Sequence, residues 1–162
     1  MGGIDKSEVR RRLVAALEQE RDTVAAAQRS SQEGATHADN KPEGDKDMRS
    51  TEASYVARGQ ALRVRALEED LARVVGMTLR VFEDAAPIAL SAIVDVAADA
   101  GTSTVFVAPA GGGTRIDLGG KVVLVVTPAS PLGRALVGAR QGDDVEVQKG
   151  EVLEIVEVVE VR

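Results

Sequence analysis

The chain of 162 residues has no cysteine, no tryptophan and a single histidine, with one tyrosine and two phenylalanines as its other aromatic residues. Without cysteine it can form neither disulfides nor thiolate metal sites, and the composition fits a reducing compartment. Because His37 is the only histidine, His-rich metal sites and catalysis that needs a second histidine are excluded. Hydrophobic residues still make up 44% of the chain, so any core must be mainly valine, alanine, leucine and isoleucine.

Long apolar segments are missing as well. The first six residues already include charged side chains, which is not the pattern of a signal peptide. The apolar run VVLVV at 122–126 ends at Thr127 and Pro128 and is too short to span a membrane. The net charge of −6 argues against a general attraction to nucleic acid. We therefore expect a cytoplasmic protein without a membrane partner.

The first half of the chain predicts an antiparallel helical hairpin. Residues 1–76 are rich in helix formers, and apolar residues recur at helical spacing in two series. These predict helices over about 6–32 and 48–75, with Ser7 as an N-cap and Gly76 as a stop. Equal lengths on either side of a helix-breaking segment indicate that the two helices pair along one thin seam. The seam residues are Val9, Leu13, Ala16, Glu20, Val24 and Ala27 in the first helix and Ala53, Ala57, Gln60, Val64, Leu67, Leu71 and Val74 in the second.

Between the helices, residues 33–47 form a predicted loop that we call the acidic tip. Glycine, asparagine and proline interrupt the helical pattern there, and the segment contains five acidic residues and two lysines. The simplest interpretation of this segment is a solvated polar loop without a function. His37, near Asp39 in the sequence, could be either a solvated side chain or a metal ligand. The spacing does not match an EF-hand, so the tip is not expected to hold a metal alone. Clustered carboxylates could instead offer one or two ligands to a Mg²⁺ held by a partner. The five acids are Glu33, Asp39, Glu43, Asp45 and Asp47.

The second half, residues 77–162, is rich in valine and glycine and reads as short strands. Residues 131–137 predict a short helix with Ser130 as its cap, Pro131 at its first position and Gly138 as its stop. The pattern predicts an α+β chain that ends in a five-stranded antiparallel sheet with one helix against it. The predicted strands are 88–96, 104–108, 121–126, 144–147 and 153–161.

Two further motifs have simple structural interpretations. The triple glycine at 111–113 is not followed by a Gly-Lys-Ser/Thr sequence or a helix, so we interpret it as a hairpin turn and not a phosphate loop. Glu151, Glu154, Glu157 and Glu160 recur every third residue, which places them on both faces of a strand. We interpret them as exposed charges that protect a sheet edge.

Residues 130–145 read SPLGRALVGARQGDDV. This run closely resembles the signature of the GreA/GreB transcript cleavage factors, and EIVEVV at 154–159 resembles the last strand of that family. The resemblance implies the family's domain order, a coiled-coil hairpin (1–76) followed by a small FKBP-like domain (77–162). It does not require prolyl isomerase activity.

The resemblance further implies that the partner is RNA polymerase. Gre factors dock their globular domain at the rim of the polymerase secondary channel and pass the hairpin down the channel. Their acidic tip helps to hold a second Mg²⁺, which hydrolyses backtracked RNA by two-metal chemistry. Transferred to this chain, the docking region contains Ser130, Pro131, Gly133 and Arg134.

The signature and the acidic tip together give our first hypothesis, a factor that stimulates RNA cleavage and rescues stalled elongation. Asp39, Glu43, Asp45 and Asp47 would act in trans with the polymerase, sharing its Mg²⁺. No cofactor is expected to be bound stably, and the nascent RNA 3′ end would be contacted only within the polymerase complex. The protein would be a monomer and not a stand-alone enzyme.

The tip departs from the family pattern, which leaves alternatives open. Gre tips carry Asp-x-x-Glu shortly before a conserved tyrosine, and alignment on Tyr55 places Met48 and Thr51 at those two positions. The alternative is therefore a non-cleaving regulator of initiation or pausing that occupies the channel. A third hypothesis, a prolyl isomerase, needs an aromatic-lined pocket that Tyr55, Phe82 and Phe106 hardly supply.

Overall fold

The computed structural model describes the backbone of residues 2–38 and 43–162, and the side chains of these residues except 34–38, 43–47 and 50. A helical hairpin is followed by a sheet and a short helix, which confirms the predicted α+β architecture. No described helix is long and apolar enough to cross a membrane. The elements are α1 (Lys6–Ala38), α2 (Glu43–Val75), β1 (Ile93–Ala98), β2 (Gly101–Val107), β3 (Arg115–Asp117), β4 (Val122–Val126), α3 (Pro131–Leu136), β5 (Asp144–Lys149) and β6 (Val152–Val161).

Contacts within the chain group it into two compact units. One is Ala16–Leu71, and the other joins Met1–Ala15 to Ala72–Arg162. The first turns of α1 and the end of α2 therefore belong to the same unit as the sheet. The boundary at residue 76 stays a prediction.

The seam of α2 follows the predicted spacing. Its seam residues are half-buried from Ala53 to Val64, and Leu67, Leu71 and Val74 are buried. In α1 the seam departs from the prediction after Leu13. Leu17 is buried, whereas Glu20 is exposed and forms an ion pair with Arg63 of α2. A carboxylate in the seam would lose its hydration, so a leucine one turn beyond Leu13 takes the buried position.

Both helices are longer than the sequence predicts. The backbone of α1 continues through Gly34 to Ala38, and α2 begins at Glu43, within the segment predicted as a loop. One glycine in a helix costs only about 1 kcal/mol relative to alanine, which neighbouring helix formers can offset. The prediction that Gly34 and Gly44 interrupt the helical pattern is therefore wrong.

The sheet has six strands in the order β3-β4-β2-β1-β6-β5, one more than predicted. The strand that the sequence does not reveal is β3, which has three residues and only Ile116 buried. All neighbours are antiparallel except β2 and β4, which run parallel. Along the chain β3 comes between β2 and β4, and β4 pairs antiparallel with β3 on one side. On its other side β4 pairs with β2, in the same direction. A fully antiparallel sheet was therefore wrong at this pair.

Three local predictions need correction. Residues 88–92 are not in a strand, because Ile88 exchanges backbone hydrogen bonds with Gly138 and Ala139 and Ser91 has a positive φ of 73°. The triple glycine lies in the connection from β2 to β3, which are not neighbours, so it is not a hairpin turn. The glutamates of β6 do not protect an edge, because β6 lies between β1 and β5.

The sheet is buried on both faces, although not along its whole width. On one face α3 contributes Leu136 to a cluster that includes Val94, Val105, Val156 and Val158. The other face carries residues that are cross-strand neighbours and fully or almost fully buried: Ile93, Phe106, Val125, Ile116 and Val123.

The first turns of α1 belong to the same unit as the sheet and contact it at the β3 end. Val9 and Leu13 are fully buried, and Leu13 approaches Gly111 so closely that a Cβ there would lie 2.7 Å from Leu13 Cδ1. Arg10 donates to the Met77 carbonyl at 2.9 Å, and Arg12 donates to the carbonyl of Asp117 at the end of β3. These contacts hold the start of α1 to the β3 end of the sheet.

Lys6 lies among other cations where α1 begins. Its ammonium group is 4.6 Å from the Phe82 ring centroid and donates to the Arg80 carbonyl at 2.6 Å. Burial, followed by the charges of Arg162 and Arg80, lowers the pKa of Lys6 from 10.5 to about 8. The folded chain therefore releases this proton at a lower pH than the unfolded chain does.

We expect the free energy of unfolding to rise as the pH increases from about 8 towards 10.5, because only the unfolded chain keeps the Lys6 proton there. The Lys6→Met variant should lose this rise. Urea unfolding across the pH window measures it, with Lys121→Met, in the exposed turn before β4, as the control that should keep the rise. An unchanged pH dependence in Lys6→Met would contradict the assignment.

Candidate functional site

The predicted docking residues lie around the start of α3. Ser130 caps the helix, since its Oγ accepts a hydrogen bond from the Gly133 N–H at 3.1 Å. The same hydroxyl donates to the Thr127 carbonyl at 2.7 Å. Pro131 follows at the first helical position, where its missing N–H costs nothing. The Ser-Pro pair thus fixes where α3 begins.

Gly133 is required by a close backbone approach. A Cβ at this position would lie 2.6 Å from the Thr127 carbonyl carbon, and closer still to its oxygen. Gly133 is buried and its backbone serves both the cap and the end of α3, where its carbonyl accepts from Val137. Any larger residue would push the 127–130 turn away from the helix.

Pro131 and Arg134 are the two predicted docking residues whose side chains are exposed. They line an open groove of about 390 Å³ with Ala135, Glu146 and Gln148. Arg134 donates from Nη2 to the Ala129 carbonyl at 2.8 Å, which holds the guanidinium beside the cap. The groove offers a protein partner one cation, one carboxylate and an amide around a proline ring.

The four predicted docking residues therefore differ in their place in the fold. Ser130 and Gly133 shape the turn, whereas Pro131 and Arg134 present the surface. Sequence reasoning missed Glu146 and Gln148, which belong to β5 and reach the groove only because β5 packs beside α3. The sequence pattern of this strand carries no signal of its packing beside α3.

The acidic tip can be placed only in part. Asp39 lies outside the described residues. Glu43, Asp45 and Asp47 lie in the first two turns of α2 by their backbone, and their side chains are outside the described part, as is that of His37. Among the described side chains, no group of three or more His, Cys, Asp or Glu could hold a metal ion.

Met48 and Thr51 align with the two acidic positions of Gre tips, and both side chains lie in the part of the chain that the structure describes. Met48 is 71% exposed and Thr51 is also exposed on α2. Tyr55, 66% exposed, has the Arg58 guanidinium carbon 5.4 Å from its ring centroid. At the two positions where Gre factors carry acids, this helix therefore presents an apolar and a hydroxyl side chain.

An open, apolar groove of about 600 Å³ lies on the sheet-containing unit. No aromatic side chain contributes to its lining, and Phe106 is fully buried elsewhere. The aromatic pocket that a prolyl isomerase needs is therefore not formed at this groove. The groove is lined by Ala72, Arg73, Gly76, Met77, Thr78, Arg80, Ala89, Leu90 and Pro109.

No family model and no curated protein sequence matches the chain. Among solved structures, GreA factor homolog 1 (Gfh1) of Thermus thermophilus is similar at 22% identity and a TM-score of 0.39, with 94% of each chain covered. Gfh1 of Thermus aquaticus is similar at 22% identity and a TM-score of 0.40, over 94% of this chain and 92% of that one. A prokaryotic transcription elongation factor GreA/GreB from Nitrosomonas europaea shows 23% identity and a TM-score of 0.36, over 60% of this chain and 77% of that one. Likenesses of this size transfer no residue role to the chain.

A pair of glycine substitutions tests the close approach at Gly133. Gly133→Ala should lower the free energy of unfolding by about 3 kcal/mol or more, because the new methyl group overlaps the Thr127 carbonyl. Gly59→Ala, on the exposed middle of α2 with nothing near its Cβ, should instead raise it by about 0.5–1 kcal/mol. Urea unfolding measures both, and wild-type stability in Gly133→Ala would rule out the overlap.

Proposed function

We propose that the chain is a transcription factor that binds RNA polymerase, enters its secondary channel with the helical hairpin and docks through Pro131 and Arg134. The observation that carries the proposal is the 130–145 motif, which folds into a rigid capped turn with those two side chains on the surface. The order of elements adds support, because a helical hairpin precedes the sheet as it does in the family that the motif resembles.

The first candidate activity is stimulation of RNA cleavage in stalled complexes. A helical backbone turns about 100° per residue, so positions 43 and 47 fall on one side of α2 and position 45 on the other. Glu43 and Asp47 are therefore the pair best spaced to act together on a Mg²⁺ held by the polymerase. Asp39 is a further candidate for a Mg²⁺ ligand. Asp45 serves as the control residue, because its position is on the other side of the helix.

The second candidate activity is occlusion of the channel without cleavage. It is favoured by Met48 and Thr51, the exposed residues at the positions of the family's acids. Neither side chain can ligate Mg²⁺ as a carboxylate does. In this mode the hairpin would act by filling space near the polymerase active site.

Docking through Arg134 predicts a charge-sensitive complex. Arg134→Glu should weaken binding to core polymerase about tenfold or more, since it reverses the cation of the groove and loses the hydrogen bond to Ala129. Arg115→Glu, the same charge change on the exposed side of β3, should bind as the wild type does. Equal loss in both variants would point to general electrostatics, and no loss in either would refute docking at this groove.

The tip variants separate the two activities. Stalled elongation complexes with Mg²⁺ should show shortened RNA with the wild type and with Asp45→Asn, and none with Glu43→Gln/Asp47→Asn, while all three bind polymerase equally. If the bound wild-type protein shortens no RNA but still slows transcription, occlusion replaces cleavage. A protein that does not bind polymerase at all would overturn the whole proposal.

A further inference from the structure

The outward face of the β5–β6 hairpin has exposed apolar side chains. Leu153 is 52% exposed and Ile155 is 54% exposed, although β6 is an internal strand of the sheet. Val152, at the turn end of the hairpin, is 65% exposed. Contiguous exposed apolar patches are rare on folded domains and are a common feature of binding surfaces.

The alternation along β6 defines which face this is. Val156 and Val158 point into the core against α3, so Leu153, Ile155 and Glu157 point to the other side of the sheet. The contacts of the start of α1 with Gly111 and Asp117 lie towards β3, through Leu13 and Arg12. The β5–β6 end is left to solvent.

The register of β5 and β6 arranges apolar and acidic groups in three rows. Gln148 lies beside Leu153, Glu146 beside Ile155, and Asp144 beside Glu157. The last row places two acids directly opposite each other, which destabilises an antiparallel pair. A cation supplied from outside would relieve that repulsion. We call these six residues the β5–β6 face.

A groove continues this surface at the turn end of the hairpin. Its volume is about 600 Å³. Asp99, from the turn between β1 and β2, adds a further carboxylate, while Lys149 is already ion-paired with Glu154. The groove is lined by Asp99, Lys149, Val152, Leu153, Glu154 and Ile155.

The charge of the hairpin decides which partner fits. Residues 144–161 contain six acids and one lysine, a net charge of −5. Glu154 and Glu160 are ion-paired, with Lys149 and Arg162, and the other four acids are exposed. A second copy would bring two such surfaces together, and nucleic acid or an anionic membrane would be repelled. A basic protein segment is the occupant that complements this face.

We propose that the β5–β6 face is a second docking surface, which takes a basic, amphipathic protein segment. The segment places apolar side chains on Leu153 and Ile155 and lysine or arginine between Asp144, Glu146 and Glu157. The surface borders the groove of Pro131 and Arg134 and shares Glu146 and Gln148 with it. Leu153 and Ile155 lie outside that groove, so the apolar part of the surface does not depend on the proposed polymerase docking. Because it is small, the contact is transient.

The test is a titration of the full-length, ¹⁵N-labelled protein with a helical peptide that has leucine on one face and lysine on the other. Amide shifts should centre on residues 144–157, and the dissociation constant should rise steeply between about 0.1 and 1 M salt. Ile155→Ser should weaken binding about tenfold. Asp144→Asn/Glu157→Gln should weaken it and flatten the salt dependence.

Two matched controls make the outcome decisive. Val122→Ser removes an apolar side chain that is 40% exposed on β4, away from this face, and should bind as the wild type does. A peptide with glutamate in place of every lysine should not bind. Shifts centred elsewhere, wild-type affinity in Ile155→Ser, equal binding of the glutamate peptide, or a dimer of the free protein in sedimentation would each overturn the proposal.

Discussion

Burial of the sheet on both faces is the constraint on which the rest of the structure depends. With three large aromatic side chains in the whole chain and only Phe106 fully buried, the core must gather aliphatic side chains from several elements. Leu136 of α3 closes one face, and Val9 and Leu13 of α1 are buried with the other. The chain therefore does not divide into a helical unit and a sheet unit at one point of the sequence, because the first turns of α1 belong to the unit that contains the sheet.

The same constraint separates structural from functional residues around α3. The close approach of the 127–130 turn to the helix needs a capping hydroxyl at Ser130 and no side chain at Gly133. These two residues would be retained in a protein that bound nothing. Pro131 and Arg134 are exposed beside that turn, so the motif combines residues that the fold requires with residues that the fold leaves on the surface. A sequence signature that looks uniform thus contains two kinds of residue.

Short-range patterns predicted much of the fold correctly. The seam of α2 and the cap and first residue of α3 each follow from spacing within a few residues. The failures have physical reasons. Three-residue β3 is too short to show alternation, and the helices extend past Gly34 and Gly44 because neighbouring residues offset the cost of a glycine.

The sequence by itself determined the order of elements, the aliphatic character of the core and the motif at 130–145. It could do so because periodicity, capping and composition act over a few neighbouring residues. Only the tertiary structure decided that β4 runs parallel to β2, that Glu146 and Gln148 line one groove with Pro131 and Arg134, and that Leu153 and Ile155 remain exposed. Those outcomes depend on which distant segments pack together, among them the start of α1 and the β3 end of the sheet.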